Sequence, residues 1–309
     1  MINPLFLLSL FLSFHLFVHG ERHTETDKET PKKHYNLTDE DIDVVIVAHP
    51  KDIETLDLCI KGIKENCKRV RRVIVVSEKK LTDEAEWFDE KLYPFSLDDV
   101  MMAIAKGDRK KGEKYFRHSN RGCGWFLQQL LKLGAPFVIP HISSNVLVID
   151  ADTIFMNPVD FLNKRKGGLF AFSRIEPKER YLRHADRLLP DYKRVHTEVY
   201  SVCHHMLFQR AILEDLFDVV EKHHQVPFWV AFCSCVDLNE DKVAASEYEI
   251  YFSFAFNHTD QVGLRELKWT NSAYLNKMDL FKRNRYDYVS FHSYARERAK
   301  KKPPVMLTR

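Results

Sequence analysis

Glycine and proline are scarce, at 10 and 12 of 309 residues. So little of either excludes a collagen-like or low-complexity chain. No long block of one charge sign is present either. The 47 Lys and Arg oppose 44 Asp and Glu for a formal net charge of +3, which argues against a dedicated nucleic-acid binder with its concentrated basic excess. There is no internal repeat and no second signature of domain scale. A span of about 20 apolar residues, enough to cross a bilayer, is also missing. The apolar run Leu5 to Val18 (LFLLSLFLSFHLFV) falls short of it. With Val18 and Gly20 at small-residue cleavage positions, residues 1–20 read as a signal peptide, or as an uncleaved signal anchor because no Lys or Arg precedes the run.

What is present suits a globular protein. Hydrophobic residues make up 45% of the chain and aromatic residues 12%, enough for a sizeable core. The length allows one large α/β domain or two smaller ones. Residues 21–41 are polar and read as a stem or linker, residues 42–296 as the folded domain, and residues 297–309 as a solvated basic tail. Six cysteines could pair in an exported protein, although joining Cys59 to Cys67 would strain a helix. Cys233-Ser234-Cys235 lacks the spacing of most structural zinc sites. Asn36-Leu37-Thr38 and Asn257-His258-Thr259 are N-glycosylation sequons, usable in a eukaryotic host.

Ile42 to Ala48 (IDVVIVA) and Val73 to Ser77 are continuous β-branched runs around a segment of helical spacing that ends at Asn66. Continuous hydrophobicity marks strands buried on both faces, as in a parallel sheet covered by helices. Ligands of such sheets sit beyond the carboxyl ends of the strands, which brings His49 and Lys51 to a binding edge. Thr82 to Leu92 and Ser96 to Lys106 are read as helices, and the basic run Lys106 to Lys114 as a solvated loop with some attraction for phosphate. FLQQLLKLG places Phe126, Leu130 and Leu133 on one helical face and ends at Gly134. Gly168 to Ser173 and Tyr286 to His292 are strand candidates. Pro177 to Leu189, Gln209 to His224 and Ser246 to Phe256 have helical spacing, giving a helical C-terminal part.

Asn145 to Asp152 reads NVLVIDAD. A short buried strand delivers Asp150 to its carboxyl end and Asp152 to the turn beyond. Two carboxylates so placed suit Mg2+ or Mn2+, which grips a diphosphate and neutralises a nucleoside diphosphate leaving group.

VLVIDADTIFMNP, with the IDVVIVAHPKD opening and the GWFLQQLLKL helix, resembles GT-A type glycosyltransferases, in particular an uncharacterised glycosyltransferase-like family. The likeness runs from about Asp41 to about Arg296, through DEKLYPFS, SVCHHMLF, SEYEIY and FHSY. It implies a mixed, mostly parallel α/β sheet flanked by helices, a nucleotide-sugar donor, and a divalent cation held by Asp150 and Asp152. It also implies a glycan, glycoconjugate or small-molecule acceptor, bound by the C-terminal half. A C-terminal histidine often completes the metal site in such enzymes, and His292 is the candidate. His204 and His205 are the acceptor candidates, and as neighbours on a strand they point to opposite faces. Glu247, left over from a capping box of Ser246 and Glu249, is the candidate general base. Arg121 and Gln129 join His49 and Lys51 as donor contacts, through pairing with diphosphate and hydrogen bonds to sugar. Membrane contact would come only from an uncleaved anchor or the basic tail, and the leader places the enzyme in the secretory pathway or outside the cell. The alternatives are a carbohydrate-binding or effector pseudoenzyme on the same fold, and a nucleotidyl or phosphosugar transferase.

Overall fold

The computed structural model describes residues 32–117, 122–174, 178–196, 198–240 and 244–301. The leader expected at residues 1–20 and the signal cleavage site lie outside them. No helix among the described residues is long and apolar enough to cross a membrane.

In chain order the strands are β1 (Ile42–Val47), β2 (Val70–Ser77), β3 (Glu86–Asp89), β4 (Asn145–Asp150), β5 (Thr153–Phe155), β6 (Leu169–Ala171), β7 (His205–Gln209), β8 (Gly263–Arg265), β9 (Trp269–Asn271) and β10 (Tyr288–Ser290). The helices are α1 (Ile53–Asn66), α2 (Leu97–Ile104), α3 (Arg109–Phe116), α4 (Gly124–Val138), α5 (Glu179–Leu188), α6 (Arg210–His224), α7 (Phe228–Ser234), α8 (Glu247–His258), α9 (Met278–Arg283) and α10 (Ser293–Lys301). A five-stranded sheet in the order β3-β2-β1-β4-β7 carries the molecule. All its pairings are parallel except β4 with β7. This is the mixed, mostly parallel sheet flanked by helices that the strand runs imply. A small sheet, β5-β10-β9, and the pair β6-β8 stand beside it.

The continuous apolar strands are buried on both faces. Val45, Val47, Val146, Val148, Met206 and Phe208 belong to the core under α4, α6 and α8. Their neighbours Val44, Ile46, Leu147, Ile149 and Leu207 face the second core, under α1. The alternation is the two-residue period of a strand. Asp43, a charge inside the first run, is fully buried and tolerated there because Arg71 donates two hydrogen bonds to it (2.9 and 2.6 Å) and the Ser143 amide a third (2.9 Å); a buried carboxylate needs such partners.

Several local expectations are corrected. The helix read over Thr82 to Leu92 is replaced by β3 and a single 3-10 turn, Glu90–Leu92, because pairing with β2 outweighs local spacing. The basic run is not all loop, since Asp108 caps α3 through the Lys111 amide (3.0 Å). Gly134 does not end α4. The helix continues to Val138, and Gly134 faces the Tyr93 ring, 3.1 Å from where a Cβ would stand. The stem does not reach Asp41: from Lys32 onward it packs on the body. Tyr35 and Leu37 are buried, and the Tyr35 hydroxyl donates to Asp215 (2.6 Å). The basic tail is helical through Lys301, where α10 ends, and Lys300 pairs with Glu54 (3.0 Å). All six cysteines are buried free thiols.

Candidate active site

Parallel register places the end of β1 beside the end of β4, with Val47 opposite Asp150. Asp150 emerges at the carboxyl edge of the sheet, and Asp152 follows in the turn before β5. Helix α1 lies against β5 at Gly62, where a Cβ would stand 2.7 Å from the Phe155 carbonyl oxygen. The turn that carries the carboxylates is thereby held between α1 and the small sheet.

Two histidines meet these carboxylates. His204 Nδ1 lies 3.2 Å from Asp150 Oδ2, and His292 Nδ1 lies 3.2 Å from Asp152 Oδ2. The two imidazoles are edge to face, 4.9 Å between centroids. His204 has a left-handed backbone, φ 65°, which is uncommon for a residue with a side chain. In that conformation its carbonyl accepts the Asp150 amide (2.9 Å) while its ring reaches the Asp150 carboxylate. His292 stands just before α10, where its carbonyl accepts the Ala295 and Arg296 amides (3.0 Å each). With Nδ1 turned to a carboxylate, each ring keeps Nε2 for another partner, a common arrangement of metal-binding histidines.

Behind Asp150 is a lysine. Lys132, on α4, is buried, and its ammonium hydrogen-bonds Asp150 Oδ1, Glu247 Oε1 (2.6 Å) and the Tyr248 hydroxyl (3.0 Å). Tyr248 in turn donates to Asp150 Oδ1 (3.2 Å). Burial works to raise the Asp150 carboxyl, yet Lys132 and the His204 hydrogen bond outweigh it and hold the group well below the usual range. Burial raises Glu247 despite the same lysine, with the Asp150 charge adding to the effect. Lys132 itself stays protonated, because the two carboxylates overcome a desolvation that works in the opposite direction.

Asp152 Oδ1 is buried and has no hydrogen-bond partner. A buried carboxylate oxygen without a partner is costly unless something else satisfies it. Carboxylate oxygens suit Mn2+ or Mg2+. Small divalent ions of this kind take one or two protein carboxylates and complete their shells from water and phosphate. Among the described residues, no group of three or more His, Cys, Asp and Glu is arranged to hold a metal ion by itself.

The other candidate residues divide. His49 and Lys51 lie just past β1, both exposed, with His49 Nδ1 accepting the Lys51 amide (3.3 Å). Arg121 lies outside the described residues. Gln129 does not open to the edge: it is buried, and its side-chain oxygen accepts the Glu247 amide (3.2 Å). His205 is turned away from the carboxylates into an aromatic box of Phe155, Phe161 and Tyr288, with centroids 4.9 to 5.8 Å away. Neither of its nitrogens has a partner there, and burial together with the Arg265 charge pushes the ring down to about 3. A neutral core histidine cannot contact an acceptor. Glu247 is 2% exposed. It faces Lys132 and not an incoming hydroxyl, so its position does not suit the general base expected of it.

Lys132 and Tyr248 escape a reading of the sequence. The only signal for Lys132 is its spacing from Gln129, i and i+3 on an otherwise apolar helix face, which puts two polar groups on the same buried side. Asp52 is a third. It caps the turn after β1 by accepting the His49 amide (3.1 Å), and burial raises its carboxyl, with the Asp152 charge acting in the same direction.

The fold and the edge site define a mixed α/β protein with a carboxylate and histidine cluster at the carboxyl ends of its strands. The chain belongs to a family of unknown function (DUF6492), whose model matches residues 32–284. No curated protein sequence matches it. Among solved structures it is similar to the mannosyltransferase Ktr4p of S. cerevisiae, with a TM-score of 0.49 and 12% identity over 77% of this chain and 74% of that one. It is similar to mouse xyloside xylosyltransferase 1 in its apo form, with a TM-score of 0.41 and 10% identity over 83% and 98% of the two chains. It is also similar to the galactosyltransferase LgtC in complex with donor and acceptor sugar analogs, with a TM-score of 0.41 and 11% identity over 81% and 86%.

Proposed function

We propose that this protein is a metal-dependent glycosyltransferase that takes a nucleotide-sugar donor at the carboxyl edge of β4 and moves its sugar to an acceptor. The observation that carries the proposal is the convergence of Asp150 and Asp152 with His204 and His292, with one buried Asp152 oxygen left without a partner. Asp150, Asp152 and His292 would hold Mn2+ or Mg2+. The ion, when bound, neutralises the charge of a diphosphate leaving group.

The protein's own residues supply the rest. Lys132 keeps Asp150 ionised and oriented, so that its charge is set before any ligand arrives. Glu247 is a positioning residue that fixes Lys132, and Tyr248 restrains the same carboxylate oxygen. His49 and Lys51 face the nucleotide side of the edge. His204 replaces the expected acceptor role with that of a carboxylate partner. Residence in a secretory lumen or export belongs to the same proposal and rests on the apolar leader.

The test is the thermal stability of the chain with a panel of nucleotide sugars, with and without Mn2+, beside Asp152→Asn. Saturation near 100 times Kd adds about 2.7 kcal/mol to a folded protein, which raises Tm by about 4 °C at this size. The expected result is a shift with one nucleotide class that needs both Mn2+ and Asp152. A chain that no nucleotide sugar stabilises would be a binding protein or pseudoenzyme.

A further inference from the structure

A recess of about 460 Å3 opens beside the carboxylate site, lined among others by Phe172, Arg174, Glu266, Trp269, Thr270 and Asn271. Its aromatic wall is shared with the site. Trp269 stacks on Tyr288 (5.5 Å, planes 7° apart) and meets the His204 ring edge to face at 5.4 Å. His204 in turn holds Asp150. The Trp269 indole and the His204 imidazole therefore link the recess to Asp150.

We propose that this recess is the acceptor subsite and that its ligand is a neutral saccharide. The inference rests on the transferase reading above and adds the acceptor's chemical class and place. An indole offers an apolar face to the C–H surface of a sugar ring, while amide, hydroxyl and charged groups exchange hydrogen bonds with its hydroxyls. Asn271, Thr270 and the ion pair of Arg174 with Glu266 (3.4 Å) supply those groups here. The recess is poorly suited to a phosphate. The Arg174 charge is offset by Glu266 beside it, and the Lys268 ammonium is tied to the Asn284 carbonyl (2.7 Å) over the Tyr286 ring. A few placed polar groups around an aromatic wall is also the usual make-up of a small-ligand pocket.

The experiment is capture of the whole protein on an array of defined neutral oligosaccharides, without donor, for the wild type, Trp269→Ala, Trp269→Phe, Asn271→Ala and Asp152→Asn. Thermal stability of each variant is recorded alongside. The expected result is a set of related oligosaccharides held by the wild type and by Asp152→Asn. That binding falls at least tenfold in Trp269→Ala, falls in Asn271→Ala, and is largely kept in Trp269→Phe. The same oligosaccharides bound equally by Trp269→Ala would overturn the proposal, as would the absence of any bound saccharide. The donor reading fails separately, by loss of the Mn2+-dependent nucleotide shift in the wild type. Saccharide capture through Trp269 without that shift would leave the recess as a sugar site and remove the transferase.

Discussion

Lys132 and Glu247 face each other at 2.6 Å with 2% of either side chain exposed, and the same ammonium also holds Asp150. One buried cation thus serves two carboxylates from different parts of the chain. Removing one partner of a buried ion pair leaves an uncompensated charge and costs about 3–5 kcal/mol. Lys132→Met is expected to lose that much in denaturant unfolding, and Lys132→Met with Glu247→Gln to recover part of it. Equal stability of the single variant and the wild type would show that the lysine is not needed to balance these charges.

Gly62 is a close-approach position. In a helix interior, alanine is favoured over glycine by about 1 kcal/mol. Here the new methyl would stand 2.7 Å from the Phe155 carbonyl oxygen, a backbone atom, and overpacking costs about 1–3 kcal/mol. Gly62→Ala is therefore expected to lower Tm, because the clash exceeds the gain in propensity. A stabilised variant would mean that α1 shifts off β5 freely.

Tyr35 tests whether the segment before β1 belongs to the fold. Its ring is buried, its hydroxyl bonds Asp215, and its amide donates to Gln261 (2.7 Å). Tyr35→Ala should cost about 3 kcal/mol through lost burial and an unmatched carboxylate contact. The check is Tm, expected to fall by about 5 °C; a fall of less than a degree would return this segment to the status of a linker.

His184 makes the fold acid-sensitive. It is fully buried, with Nε2 at 2.9 Å from the Phe232 carbonyl, and burial lowers the ring to about 4 from an unfolded value near 6.5. Between those values the unfolded chain binds the extra proton, so stability rises with pH. The contribution is fully present above the unfolded value and is lost as pH falls towards 4, up to about 3 kcal/mol. His184→Gln keeps a donor for Phe232 and does not titrate. Unfolding of this variant between pH 4 and 7 is expected to show a shallower slope than the wild type, and identical slopes would sink the assignment.

Legibility in the sequence followed the strength of the local signal. NVLVIDAD announced a buried strand with carboxylates at its carboxyl end, because a run of four β-branched or leucine residues has one plausible place in such a sheet. Thr82 to Leu92 has helical spacing, yet Glu86 to Asp89 within it pair with β2. Lys132 was invisible for a different reason. A lysine in a helix is ordinarily solvated, and nothing nearby in sequence reveals that Asp150 and Glu247, 18 and 115 residues away, converge on it.

The sequence alone determined the class of fold and the placement of Asp150 and Asp152 at a sheet edge. Those properties depend on period and order along the chain, which neighbouring residues carry. The tertiary structure decided which histidine turns to the carboxylates, that Glu247 is withdrawn behind Lys132, and that Trp269 links the recess to the site. These depend on packing between distant segments, where burial and charge balance outweigh local preference.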